Sequence, residues 1–238
     1  MRIYKRFLDG IPEYLAHYYW WAYLWRGGIW FFEHQLVINA ILFGQYDKLL
    51  KKTLAQVEAK PGAKILQLTC VYGKLTPSLL SGANNEFHLC DAATGQLQLA
   101  RRKTLHVADR CHLARMNAEC LGYRDNAFDQ VIVFFLLHEL PPEARLNAYA
   151  EIARVTRPGG SVLVTEYGMT PRGHWLYRFV PFRWLICTLE PFLAGFWREN
   201  VPGKLNAAFA QRGKTLGEPD VEHCFGGYYR AMRFEVES

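Results

Sequence analysis

The sequence predicts an α/β fold, a mostly parallel sheet with helical crossovers and an antiparallel C-terminal hairpin. Three observations predict it. Short apolar runs alternate with amphipathic stretches from Ala63 onward. Asp129–Leu136 (DQVIVFFL) is a continuous apolar run, as in a strand buried on both faces. Val221–Cys224 and Tyr228–Val236 flank Gly226-Gly227, the pattern of a hairpin.

Residues 1–60 are expected to form an aromatic helical extension or lid ahead of a domain over residues 61–238. Ile11–Trp25 reads as a helix after Pro12, broken by Gly27-Gly28. Ile29–Leu50 reads as a second helix, with Trp30, Phe31, Leu36, Val37, Ala40, Ile41 and Phe43 at approximate helical spacing, and Leu49–Ala59 continues to Pro61. The first strand is Lys64–Leu68. Its loop runs to Lys74, and Thr76-Pro77-Ser78 opens the helix Pro77–Leu80. Then come a strand over Glu86–Cys90, a helix over Ala93–Thr104 and a short strand within Arg110–Met116. After the apolar fourth strand, Pro142–Val155 is an amphipathic helix closed by Arg157-Pro158-Gly159-Gly160, and Ser161–Glu166 is the fifth strand. Thr170–Phe196 is aromatic and divided by Pro171, Pro181 and Pro191. It therefore reads as an inserted cap over about residues 170–200, followed by a short helix at Asn206–Gln211.

Composition narrows the classes of function. The chain has 238 residues, half of them hydrophobic, which argues against disorder. Its six cysteines show no CxxC and no ligand spacing, as expected of reduced core thiols in a reducing compartment. The net charge is +6, and basic residues stand among tryptophans and tyrosines without an arginine-rich run. That pairing leans toward a membrane surface over nucleic acid, and on charge alone a soluble protein with a scattered basic surface stays an equal reading. Met1–Arg6 is basic, but Asp9 and Pro12 interrupt any apolar core, so no signal peptide is expected. The apolar stretches end at Arg26, Asp47 and Glu190, and none reaches the roughly 18 residues of a spanning helix.

The stretch Lys64–Lys74 (KILQLTCVYGK) organises the candidate site. A strand-loop-helix that opens an alternating α/β chain directs backbone N–H groups above the strand ends. Nucleotide-binding loops ordinarily carry several glycines there; this loop keeps only Gly73, and Thr69 and Val71 stand where glycine is expected. Asp91, at the end of the second strand and eighteen residues after Gly73, suits the two hydroxyls of a ribose.

Met116–Leu121, Phe128-Asp129 and Arg154–Gly160, taken with this loop, resemble the class I S-adenosylmethionine-dependent methyltransferases over about Ala63–Glu166. The usual first motif there has an acidic residue and three glycines where this chain has Gln67, Thr69, Val71 and Gly73. Gln67–Gly73 together with Ile38–Tyr46 (INAILFGQY) resembles the rhodoquinone-biosynthesis methyltransferase-like family over nearly the whole chain. The resemblance implies a Rossmann-like methyltransferase fold that takes S-adenosylmethionine as amino donor. The amine replaces a methoxy group of ubiquinone, with manganese supporting the reaction. It implies cofactor contacts from Gln67, Thr69, Cys70, Val71, Tyr72 and Gly73, from Asp91 and Ala92, from Asn117 and Ala118 at the adenine, and from Phe134. Phe134 to His138 would line the cavity.

A glutamine at position 67 would withdraw acidic support from the ammonium of the cofactor and leave more of it as neutral, nucleophilic amine. His138 and Glu139 are candidate manganese ligands, although adjacent residues of a helix point apart; His88, His174 and Glu166 are further candidates. Tyr72 and Glu166, expected near strand ends, are candidate proton acceptors beside His138. The isoprenoid tail would run between residues 12–46 and 170–197, with Arg26, Arg172, Arg178 and Arg183 at anionic headgroups. The expected setting is cytoplasmic, peripheral on the inner membrane. Two other readings stay open: a conventional quinone or small-molecule methyltransferase, and a non-catalytic quinone- or cofactor-binding protein.

Overall fold

Among the described residues seven strands form one sheet, in the order β3-β2-β1-β4-β5-β7-β6. These are β1 (Lys64–Leu68), β2 (Glu86–Asp91), β3 (Cys111–Arg115), β4 (Phe128–Phe134), β5 (Thr156–Tyr167), β6 (Asp220–Cys224) and β7 (Tyr229–Glu235). The computed structural model describes residues 10–58, 60–82 and 84–237. Met1–Arg6, Asp9 and Ala59, used in the sequence reading, lie outside the described residues. Strands β1 to β5 pair in parallel, and β7 runs antiparallel between β5 and β6, as the apolar runs and the closing hairpin predict. The chain order reverses between β1 and β4, so the loops leaving these strands part and open a crevice above their C-terminal ends. Ile65, Leu66, Val131, Ile132 and Val133 are fully buried at this centre because helices cover both faces of the sheet.

Several boundaries differ from the sequence expectation. Ile11–Trp25 is two short helices, Glu13–Tyr18 and Trp20–Tyr23, parted at Tyr19. Gly27-Gly28 does not break the chain; both glycines lie within the helix Arg26–Glu33. Gly28 serves a close approach instead, since a Cβ there would stand 1.7 Å from the Trp21 carbonyl oxygen. The second predicted helix is divided where His34 turns extended (ψ 123°) and where Phe43 and Gly44 take positive φ, giving Gln35–Ile41 and Tyr46–Ala55. Strand β4 ends at Phe134 because Phe135 adopts φ +52°, and a 3-10 turn follows over Leu137–Glu139. Arg157–Gly160 belongs to β5 rather than to a turn, with Gly160 pressed against the Asp129 carbonyl.

The prolines divide the cap as expected, into Trp175–Arg178, Val180–Leu189 and Leu193–Phe196. The next helix is longer than expected, Val201–Ala210, because the Asn200 side chain caps it by accepting from the Gly203 N–H. Cap and N-terminal helices meet above the strand ends through the ring pairs Tyr18–Phe192 (5.3 Å) and Phe43–Phe182 (5.4 Å). No described helix is long and apolar enough to cross a membrane.

Candidate active site

The crevice between β1 and β4 is a cavity with about 1330 Å³ of atom-free space, mouth included. Its floor is the loop after β1, contributing Thr69, Cys70, Val71 and Tyr72. One wall carries Asp91, Ala92, Asn117 and Ala118, and the other Phe134, His138 and Glu139. The N-terminal helices form the roof with Tyr14, Tyr19, Trp21 and Tyr23. Eleven sequence-predicted residues therefore meet around one space.

Gln67, Gly73 and Glu166 do not line it. Gln67 is buried beneath the floor, donating from Nε2 to the Thr69 carbonyl (3.0 Å) and accepting from the Thr76 hydroxyl (3.0 Å). It shapes the loop rather than facing a ligand. Gly73, at φ +82°, lies against the Tyr46 hydroxyl, where a Cβ would come within 2.5 Å. Glu166 is fully buried and accepts from the Leu137, His138 and Tyr167 N–H groups and from His138 Nδ1 (2.9 Å). It is a buttress, enclosed by donors, and is not presented as a base. Tyr72 offers its ring to the cavity, but its hydroxyl donates to the Ala22 carbonyl (2.5 Å) and accepts from Gln96 Nε2 (2.6 Å). Burial raises its pKa further, so Tyr72 is not poised as a proton acceptor either.

The floor keeps the backbone shape of a glycine loop without the glycine. Thr69 takes φ +76°, a left-handed conformation that a β-branched residue adopts only under strain. Asp91 braces the loop from the side, accepting from the Cys70 N–H (2.9 Å) and the Ala93 N–H (2.7 Å). Asp91 lines the cavity, and a carboxylate with two acceptor oxygens suits the paired hydroxyls of a ribose. Burial raises the Asp91 pKa to about 6, against the lowering by the Ala93 and Cys70 N–H groups.

The opposite wall is built by a buried arginine. Arg145 donates to the Leu137 carbonyl (2.7 Å) and the Leu140 carbonyl (2.8 Å) and pairs with Glu199. With Glu166 holding the amides of the same turn, His138 and Glu139 are fixed by one side chain on each edge. The 3-10 geometry of that turn overcomes the divergence expected of neighbours in a helix. His138, Glu139 and the cap residue Glu190 bring one ligand atom each within 4.8 Å of one another. Glu190 Oε2 is buried without a hydrogen-bond partner among the described residues, and an N/O donor set with such a carboxylate oxygen fits a divalent cation. His88 and His174 are not among these cavity donors.

Burial and the neighbouring Glu190 push the Glu139 pKa up to about 8, while His138 and the Tyr23 hydroxyl pull it down. Burial also raises Glu190. For His138, burial favours the neutral ring, but the Glu166 carboxylate outweighs it and lifts the pKa to about 9. Glu190 was legible only as the acid that ends the apolar run Trp184–Leu189. Tyr23, which donates to Glu139, and Arg145 gave no sequence signal beyond their place in amphipathic helices.

Residues 65–160 match the family described as a methyltransferase domain. The chain is 36% identical to a demethylmenaquinone methyltransferase of Lactiplantibacillus plantarum over 132 residues, 54% of this chain and 55% of the relative. It is 30% identical to the ubiquinone/menaquinone biosynthesis C-methyltransferase UbiE of Cupriavidus taiwanensis over 156 residues, 63% of each chain. The chain thus spans between half and two thirds of these relatives. In fold it is similar to phosphoethanolamine N-methyltransferase 2 of Haemonchus contortus in complex with S-adenosyl-L-methionine. That likeness has a TM-score of 0.67 at 15% identity, over 97% of this chain and 61% of the other. The sheet order and the cavity above the β1 and β4 ends are those of a Rossmann-like methyltransferase fold, and residues 65–160 are similar to a methyltransferase domain.

Proposed function

We propose that this chain converts ubiquinone to rhodoquinone with S-adenosylmethionine as amino donor. The observation that carries the reading is the cavity itself, where a strained, glycine-poor floor faces a His138–Glu139–Glu190 cluster. Methyl transfer from a sulfonium needs no cation, whereas exchange at a quinone ring gains from a Lewis acid at the carbonyl. When bound at this cluster, manganese would supply that polarisation. On the ring carbon a C–N bond would form and the C–O bond break, methanol leaving with the proton the amine gives up. The quinone ring, as internal oxidant, would then take two electrons from the donor's α-carbon, and water would hydrolyse the resulting imine to the aminohydroquinone and a 2-oxo acid.

The residues divide the task. Asp91, Asn117 and Ala118 would hold the nucleoside. Gln67 holds Thr69 in its left-handed turn and brings no charge to the position, which would favour the neutral amine. Residues 1–60 would serve as a lid over the 61–238 domain, and with the cap they would enclose the isoprenoid tail.

The proposed setting is the cytoplasmic face of the inner membrane. Trp20, Trp25, Trp30, Trp175 and Trp184 are all more than half exposed on the lid and cap, and Arg26, Arg172 and Arg178 are exposed beside them. Aromatic rings with neighbouring guanidinium groups suit an anionic interface.

A second reading, C-methylation of a quinone, is favoured by what the two relatives are named to do. Incubation of the protein with ubiquinone and doubly labelled donor separates the two. Amine nitrogen in the quinone is the expected result. Methyl carbon in the quinone without nitrogen overturns amination in favour of methylation, and neither label leaves a binding protein.

A further inference from the structure

On the sheet edge formed by β2 and β3, well away from the cavity, Glu86, His88 and His112 converge. His88 and His112 are register partners in the parallel pair, and Glu86 lies two residues before His88. All three side chains therefore leave the sheet on one face. His88 Nε2 is 3.0 Å from Glu86 Oε1, and His112 Nε2 is 3.7 Å from the same oxygen. The three donor atoms lie within 4.8 Å of one another.

A tetrahedral ion bound at about 2.0–2.1 Å holds its donors roughly 3.3 Å apart, so two of these separations already match a shared ion. We propose that Glu86, His88 and His112 form a zinc site that clamps the edge strand β3 to β2. The surroundings support it. The Tyr123 and Phe128 rings meet His88 edge-on at 5.4 and 5.2 Å and fix its plane. Lys64 Nζ stands 3.3 Å from the second Glu86 oxygen and orients the carboxylate. The His112 side chain is half exposed, which leaves a path for the ion and a fourth position for water. Asn117 and Ala118 follow β3 directly, so a clamp here would also steady one wall of the cavity.

The test is zinc titration of the chelator-treated full-length protein by calorimetry, with His112→Gln and, to remove the cavity imidazole, His138→Gln. His112 is exposed enough that its variant should fold, which circular dichroism checks. The expected result is one zinc equivalent retained in His138→Gln and weakened at least tenfold in His112→Gln. Zinc should also slow amide exchange across Cys111–Arg115 in the wild type. Equal stoichiometry and affinity in wild type and His112→Gln, or loss of all zinc in His138→Gln, would overturn the proposal.

Discussion

Gln67 Nε2 donates to the Thr69 carbonyl at 3.0 Å, and the residue it holds sits at φ +76°. A left-handed turn at a β-branched residue costs about 1–2 kcal/mol, and glycine there gives back part of the gain through unfolded-state entropy. Thr69→Gly is therefore expected to stabilise the protein by about 0.5–1 kcal/mol, read as a higher denaturant midpoint at constant slope. Gln67→Glu removes the donor and sets a buried carboxylate against a carbonyl, so it should destabilise by about 2–3 kcal/mol. A Thr69→Gly variant clearly less stable than wild type would show that the loop is not strained.

Asp91 ties two loops together and faces the cavity. Asp91→Asn keeps the shape but loses the charge that strengthens both backbone bonds and any bond to ribose hydroxyls. S-adenosylmethionine affinity should fall at least tenfold by calorimetry. With its pKa raised to about 6, Asp91 accepts a proton as pH falls through that value. Wild-type affinity should therefore weaken between pH 7 and 5, and the Asp91→Asn variant should lose that dependence.

Most of the sheet could be read from the chain because each central strand carries its burial in its own residues, as Val131–Val133 does. The wall formed by Asp91, Asn117 and Ala118 was legible for the same reason, since strand ends place it. The breaks at His34 and Phe43 were not, because apolar spacing continues through both while tertiary packing sets the backbone. Gln67 was misplaced by one step. Its position in the motif suggested contact with a ligand, but the turn of Thr69 brings a carbonyl back over it and occupies the amide. Glu190 comes from the cap, 51 positions after Glu139, and only the folded chain sets it beside His138.

The exposed tryptophans give the membrane proposal a direct check. Trp175 and Trp184 are 61% and 70% exposed, so replacing both by alanine removes little packing within the protein. Flotation with vesicles containing anionic lipid should carry the wild type upward and leave most of the Trp175→Ala/Trp184→Ala variant behind. The melting temperature should be nearly unchanged. Flotation of the variant equal to that of wild type would remove this face as the contact.

The acidic cluster sets the pH dependence of the metal-free protein. Glu139 has an ordinary pKa of 4.5 and is raised to about 8, chiefly by burial and then by Glu190. His138 has an ordinary value of 6.5; burial opposes its charge, but Glu166 lifts it to about 9. Both are raised in the folded state, so the proton each binds favours folding. That contribution is complete below the ordinary value and is lost as pH rises through the folded one. The melting temperature should fall between pH 5 and 9, with Glu139 acting from about 4.5 to 8 and His138 from about 6.5 to 9. Glu139→Gln should flatten the lower part of that slope, because a neutral amide beside Glu190 has no proton to lose. A divalent cation needs the ionised carboxylate, so manganese should bind at least tenfold tighter at pH 8.5 than at 6.5 and should restore stability at the alkaline end. Thermal melts across pH with and without manganese, together with titration of free manganese by electron paramagnetic resonance, measure both effects. A melting profile identical in wild type and Glu139→Gln would show that Glu139 is already ionised in the folded protein.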